Sequence, residues 1–281
     1  MDLIKKVFRK IIPKSIKHRL KKKYVILTVE DVQQAARQAK NNENVKLLKT
    51  ISLKTSIYDE MYKKNGAHYL QVGLSAISCI EDAMNKSGIK RVQKILDMPC
   101  GHGRVFRFLV KYFKGAELSA CDINRAGVTF CRKEFGAIPL YSKVGLSEFK
   151  LNKKFDLIWC GSLATHFDSK DTTELLKFFY RHLFPGGLLV ISMHGKRSLE
   201  NLNSRKFTYG LDDESIREVL RGMKETGYGY VDYRGQSKYG ISIATPEWME
   251  TKVKEIGKWE NFHFFESAWI DHHDIYSVVK G

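Results

Sequence analysis

Between Lys94 and Met193 the chain alternates short, strongly apolar runs with longer stretches in which apolar residues return every three or four positions. The short runs are too brief for helices and read as strands buried on both faces. The periodic stretches read as the helices that cover them. Strands are predicted at Lys94–Met98, Glu117–Asp122, Ile138–Tyr141, Phe155–Cys160 and Leu188–Met193. Strand and helix in this alternation predict an α/β fold, a parallel sheet with helices on both faces. Asp171-Thr172-Thr173-Glu174 reads as a capping signal for a helix carrying Leu175, Leu176, Phe179 and Leu183, after which Pro185-Gly186-Gly187 returns the chain to the sheet.

The flanks follow other patterns. Leu3, Ile4, Val7, Phe8, Ile11 and Ile12 lie at helical spacing, with Lys5, Lys6, Arg9 and Lys10 on the other side, until Pro13. Three readings fit this basic amphipathic segment, residues 1–24: contact with an anionic membrane, docking on the protein's own core, or a tail for another polyanion. A helix-favouring region, residues 25–90, follows, broken at Asn41, Asn42 and Asn44, and its last helix carries Val72, Leu74, Ile77, Ile80 and Met84 up to Gly88. Beyond Met193, Asp213 to Thr226 reads as a helix stopped by Gly227. Tyr- and Gly-rich strand candidates occupy 227–233 and 239–244, and Thr245-Pro246 starts another helix that ends at Gly257. Strands at Asn261–Glu266 and Asp274–Val279 close the chain.

The 281 residues are 43% hydrophobic and 28% charged, which excludes a disordered or fibrous chain. The net charge of +17 is uneven: residues 1–24 hold ten Lys or Arg against one Asp, more than half of the excess. A charge so local is weak support for nucleic acid as a partner. Five cysteines, odd in number and with no C-x-x-C pair, suggest neither disulfides nor structural zinc and point to a reducing cytoplasm. The N-terminus resembles neither a signal peptide nor a spanning helix. The expected place is therefore the cytoplasm, peripheral on the inner membrane face if residues 1–24 bind there.

The chemistry concentrates in Ile95–Leu109, ILDMPCGHGRVFRFL. An apolar strand ends in Asp97, a turn contains Gly101 and Gly103, and a helix begins at Val105. Glycines let the backbone approach a ligand, and the helix start offers free N–H groups. Asp122 stands at the end of the next strand, where a carboxylate can accept both hydroxyls of a ribose. A dinucleotide site asks for G-x-G-x-x-G, whereas Phe106 takes the third glycine's place, and Asp97 suits a cationic ammonium better than a pyrophosphate. A nucleoside carrying an amino acid fits best.

With these residues the sequence resembles the class I S-adenosylmethionine-dependent methyltransferases over roughly residues 92–279. Asp97-Met98-Pro99-Cys100-Gly101-His102-Gly103 is similar to the family's D-x-x-C/G-G-x-G turn, Asp122 to its ribose ligand and Ile123 to the residue on the adenine. Phe155–Cys160 with Gly161 and Ser162 resembles the fourth strand and the loop beneath the methionine portion, and Leu183–Leu188 the L-x-P-G-G-x turn. The resemblance implies a Rossmann-like, seven-stranded, mostly parallel sheet with the last strand antiparallel. It implies a methyltransferase domain over residues 91–281, and S-adenosyl-L-methionine as cofactor. Pro99, Cys100, Arg104 and Ser142 join the expected cofactor contacts, although the third strand leads into Tyr141-Ser142-Lys143 where the family often has an acid or amide. Cys100 is expected to pack rather than react, and Arg104 is as well placed for a salt bridge as for a ligand. Residues 195–244 fall between the fifth strand and the helix that usually follows it, which implies an insertion where an acceptor lid would sit. Its tyrosines 209, 228, 230, 233 and 239 suit either stacking on an acceptor or a strand core.

Methyl transfer needs alignment, and a base only where the acceptor must lose a proton. His166, after the fourth strand, and His194, after the fifth, are the catalytic candidates; His272-His273 is a further pair. Neighbours in a strand point to opposite faces, so no metal centre is expected there. The expected acceptor is a small molecule or glycan, including a membrane-associated polysaccharide or lipid precursor. The rivals are an RNA methyltransferase and a catalytically silent S-adenosylmethionine-binding module at the membrane. Against RNA stands Cys160-Gly161-Ser162-Leu163, where base-amino methylation resembles an N-P-P-[YF] loop.

Overall fold

The computed structural model describes residues 24–281. The stripe over residues 2–12, and all of the basic segment but Tyr24, lie outside them. The N-terminal part pairs β1 (Tyr24–Ile26) with β2 (Lys54–Ser56) and carries α1 (Val29–Arg37) and α2 (Asn42–Leu48). Thr28 and Asp31 form a capping box at the start of α1, and Asn41 caps α2, which is why the asparagine-rich break falls between helices. The 21-residue α3 (Gly66–Lys86) follows.

From there strand and helix alternate: β3 (Lys94–Asp97), α4 (Phe106–Tyr112), β4 (Glu117–Asp122), α5 (Arg125–Phe135), β5 (Ile138–Tyr141), β6 (Phe155–Cys160), α6 (Ser169–His182) and β7 (Leu183–His194). The chain then forms α7 (Lys196–Ser204), α8 (Asp213–Thr226), the hairpin β8 (Tyr228–Asp232) and β9 (Gly240–Ala244), α9 (Pro246–Ile256), β10 (Trp259–Trp269) and β11 (His273–Lys280). Seven strands make one sheet in the order β10-β11-β7-β6-β3-β4-β5, in which β11 pairs antiparallel with both neighbours and the other pairings are parallel. The expected α/β sheet with an antiparallel last strand is present.

Alternation along the strands divides the core. Ile95, Leu157, Leu188 and Val190 face one layer, closed by α3 through Leu70, Ile77 and Ile80 and by the N-terminal Leu27 and Leu48. Leu96, Ile158, Leu189 and Ile191 face the other, closed by α6 and α9 through Leu175, Phe179, Met249 and Val253. Such runs are apolar at every position because both faces are covered. The 195–244 segment builds a satellite cluster from Leu202, Ile216, Val219, Ile241 and Ile243.

Several boundaries differ from the sequence reading, two of them around the helix and turn that enter β7. α6 starts at Ser169, because Asp168 accepts from Asp171 N–H at 2.7 Å and caps the helix before the predicted signal. β7 starts at Leu183: the register jumps from Phe155↔Leu183 to Leu157↔Leu188, so Pro185-Gly186-Gly187 forms a bulge, with Gly186 at φ +77°.

Candidate functional site

The carboxyl ends of β3 and β4 meet at the glycine turn. Cys100 N–H donates to Cys121 O (3.0 Å), and Gly101 N–H donates to Asp122 Oδ2 (2.7 Å), while Asn124 N–H donates to Asp122 Oδ1 (2.8 Å). Asp122 thus holds the turn through one lone pair on each carboxylate oxygen. Gly101 has φ +49° and a Cβ there would enter open space; Gly103 has φ +81° and its Cβ would meet the Phe135 ring at 2.4 Å. The start of α5 lies against the turn so closely that a Cβ on Gly127 would sit 2.2 Å from Gly101 O.

Asp97 is 1% exposed, and neither carboxylate oxygen has a partner among the described residues. Burial raises its pKa well above the usual range, helped by the Asp122 charge and opposed by Arg104. A carboxylate desolvated in this way is a poor structural choice and a good receptor for a cation. Ile123, next to Asp122 in sequence, is 57% exposed, and Ser142 N–H donates to Asp122 O at 3.1 Å. Pro99 is half-buried and Cys100 buried; the contact with Cys131 and burial push the Cys100 thiol up, which keeps it protonated and unreactive. Ser162, left-handed at φ +60°, donates its N–H to Ser192 Oγ (2.7 Å), and a Cβ on Gly161 would press on Trp159 and Trp269 at 2.9 Å.

Arg104 and Ser162 also line a cavity of about 600 Å³ with His68, Trp269, His272 and His273, whose walls exclude Asp97 and Asp122. A larger one, about 680 Å³, opens at the opposite ends of the strands among Lys94, Lys150, Lys153, Lys154 and Arg181, away from the glycine turn.

Both catalytic candidates are tied to the inserted hairpin. His166 Nδ1 lies 2.8 Å from Gly240 O and His194 Nδ1 3.1 Å from Ser242 O, so each Nδ1–H donates to β9 and each Nε2 carries the lone pair. His166 stacks on Tyr239 (centroids 4.5 Å), and Ser242 Oγ donates to Ala164 O (2.8 Å), which fastens β9 over the 3-10 turn Ala164–His166. Burial lowers the His166 pKa; burial and then His272 push His194 down to about 3.

The His272-His273 pair corrects an expectation. His273 pairs directly across the β11–β7 ladder with His194, and His272 precedes the strand, where Ile270 and Asp271 turn the chain at φ +57° and +51°. The opposite-face rule applies within a strand, and His272 is outside it. Its ring lies 5.2 Å from that of His273 and 5.5 Å from that of His194.

Sequence reasoning missed Arg107. Fully buried, it donates from Nε to Gly103 O (3.2 Å), from Nη1 to Ser52 O (2.9 Å) and from Nη2 to Tyr69 Oη (3.1 Å), while Tyr69 donates to Asp59 at 2.5 Å. It joins the glycine turn to the N-terminal region. Ser52 and Tyr69 lie 55 and 38 residues away in the chain, so no local signal marked it.

A family model described as a methyltransferase domain matches residues 96–189, the stretch from β3 through the glycine turn into β7. This stretch is a methyltransferase domain of the class I S-adenosylmethionine-dependent kind. S-adenosylmethionine is the cofactor of this methyltransferase, and the unpartnered Asp97 carboxylate and the open space at Gly101 suit its ammonium-bearing end. Solved structures share the fold. The methyltransferase is similar to an S-adenosylmethionine-dependent methyltransferase from Clostridium acetobutylicum at 18% identity, over 79% of this chain and 100% of that one, with a TM-score of 0.54. It is likewise similar to DesVI of Streptomyces venezuelae at 15% identity, over 80% and 97%, also with a TM-score of 0.54. No curated protein matches it in sequence. No helix among the described residues is long and apolar enough to cross a membrane.

Proposed function

We propose that this methyltransferase methylates a small molecule or glycan. The observation that carries the reading is the cavity of about 600 Å³ at the strand tips, which joins Arg104 and Ser162 to His272, His273 and Phe207. That volume suits an acceptor of about the size of one or two sugar rings. Bound S-adenosylmethionine supplies an activated methyl group on a sulfonium.

The chain's own residues have separable tasks. Asp97 takes the ammonium and Arg104 the carboxylate of the methionine portion, with Gly161 and Ser162 beneath it. Gly101, Gly103, Pro99 and Cys100 form the backbone wall, Asp122 accepts the ribose hydroxyls, and Ile123 and Ser142 flank the adenine. His166 and His194 orient the acceptor, and His166 takes its proton through Nε2, the nitrogen that its bond to Gly240 leaves with the lone pair. The 195–244 insertion serves as the lid, since β9 reaches both histidines. The basic segment 1–24 supports an acceptor at the inner membrane face, a polysaccharide or lipid precursor, with the cytoplasm as compartment.

Labelled S-adenosylmethionine incubated with the enzyme and a cell extract, then partitioned into lipid, polysaccharide, RNA and small molecules, tests this. Label in the small-molecule, glycan or lipid fraction is expected. Label confined to RNA would overturn the acceptor class, and no label in any fraction would favour a silent binding module.

A further inference from the structure

We propose that His194, His272 and His273 form a binding site for one divalent transition-metal ion of the zinc type, at the edge of the acceptor cavity. One ligand nitrogen from each ring lies within 4.8 Å of those of the others. In a tetrahedral zinc site imidazole nitrogens about 2.0–2.1 Å from the ion are roughly 3.3 Å apart, so small ring rotations close the cluster. The backbone already sets the convergence: the antiparallel ladder pairs His273 with His194, and the left-handed turn at Ile270 and Asp271 brings in His272.

The surroundings are those of metal ligands. His194 donates Nδ1–H to Ser242 O (3.1 Å), which fixes its tautomer and leaves Nε2 to bind. Tyr209 Oη donates to Ser198 Oγ (2.9 Å) and so accepts from His272 Nε2 (3.1 Å), which leaves His272 Nδ1 as the free lone pair. His273 Nδ1 is buried without a hydrogen bond. Each ring is thus either oriented by an outer partner or in need of one. Three neutral imidazoles leave a dipositive ion one open position, and with Arg104 and Arg197 on the same cavity that position favours an anionic oxygen.

This deepens the proposed function and rests on it for the role alone: the fourth position would take an acceptor hydroxyl. There the O–H proton leaves to His166 Nε2, the oxygen electron pair forms the bond to the methyl carbon, and the carbon–sulfur bond breaks with its pair on sulfur. The products are a methyl ether and S-adenosylhomocysteine.

The site itself is tested without turnover. The full-length, tag-free chain, stripped by chelator, is titrated with Co²⁺ alone, with visible d–d absorption and equilibrium dialysis as readouts. One ion per chain is expected, with the absorption of a four- or five-coordinate nitrogen site, displaced by Zn²⁺. His272→Ala, in a half-buried turn, is expected to weaken binding by 100-fold or more, and Tyr209→Phe, which keeps all three ligands, by about 10- to 100-fold. Should His272→Ala not fold, Tyr209→Phe decides. No stoichiometric binding, or binding indifferent to the variants that fold, overturns the site. Loss of the labelled-transfer result alone would leave the Co²⁺ titration intact, so the two readings fail separately.

Discussion

Replacing Asp97 by Asn separates the stability of this fold from its ability to hold a cofactor. Both Asp97 oxygens are buried and unpartnered, and burial together with Asp122 makes the charged form expensive in the cofactor-free protein. An unsatisfied buried polar group costs about 1–3 kcal/mol, and more when charged. The isosteric amide removes the charge, so cofactor-free Asp97→Asn is expected to be more stable than the wild type by about 1–3 kcal/mol at neutral pH. For a chain of this size each kcal/mol moves the Tm by roughly 2–4 °C. Cofactor binding moves the other way. Truncating one partner of a buried charged pair costs about 2–5 kcal/mol, which is roughly a 30- to 5,000-fold loss of affinity. Differential scanning calorimetry without ligand, and isothermal titration with S-adenosylhomocysteine, which keeps the ammonium, read the two effects. A variant that binds S-adenosylhomocysteine as tightly as the wild type, or one whose cofactor-free form melts several degrees lower, would refute the assignment of Asp97 to a cation.

The same group sets a pH dependence. A bound ammonium favours the carboxylate, so S-adenosylhomocysteine affinity is expected to be constant above the raised Asp97 pKa and to fall as the pH drops through it, a slope that titrations of Asp97→Asn should lack. The folded pKa lies above the unfolded one, so Asp97's contribution to cofactor-free stability is full below the ordinary carboxylate range and is lost as the pH rises through the folded value; thermal melts across that range check the sign. Gly127→Ala puts a methyl 2.2 Å from Gly101 O, and calorimetry should show a loss of about 1–3 kcal/mol along with weakened cofactor binding. Gly101→Ala meets no protein atom, so its cost should be only the left-handed backbone, about 1–2 kcal/mol, and its larger effect should appear in cofactor titration. Arg107→Met removes the buried donors to Ser52 O, Gly103 O and Tyr69 Oη, and denaturant unfolding should register about 3–5 kcal/mol for the three bonds together.

Features written in local order were legible in the chain before it folds. Consecutive apolar residues in Phe155–Cys160 marked a two-faced strand, and Gly227 and Thr245-Pro246 punctuated helices whose ends the structure places at those residues. The glycine turn was legible because Asp97, Gly101 and Gly103 sit within seven residues and are brought together by the bend they make. Tertiary structure alone decided what depends on pairing distant strands. His194 and His273 meet because β7 and β11 run antiparallel in one register, and β11 enters the sheet between β10 and β7 only after the inserted segment, α9 and β10 have been laid down. Arg107 reaches Ser52 and Tyr69 because α3 covers the same sheet face as α4, and the β9 carbonyls reach His166 and His194 because the insertion folds back over the strand tips. A side chain's period shows which face of its own element it occupies. What that face meets is fixed by sheet order and register, which come from the burial of the whole chain at once.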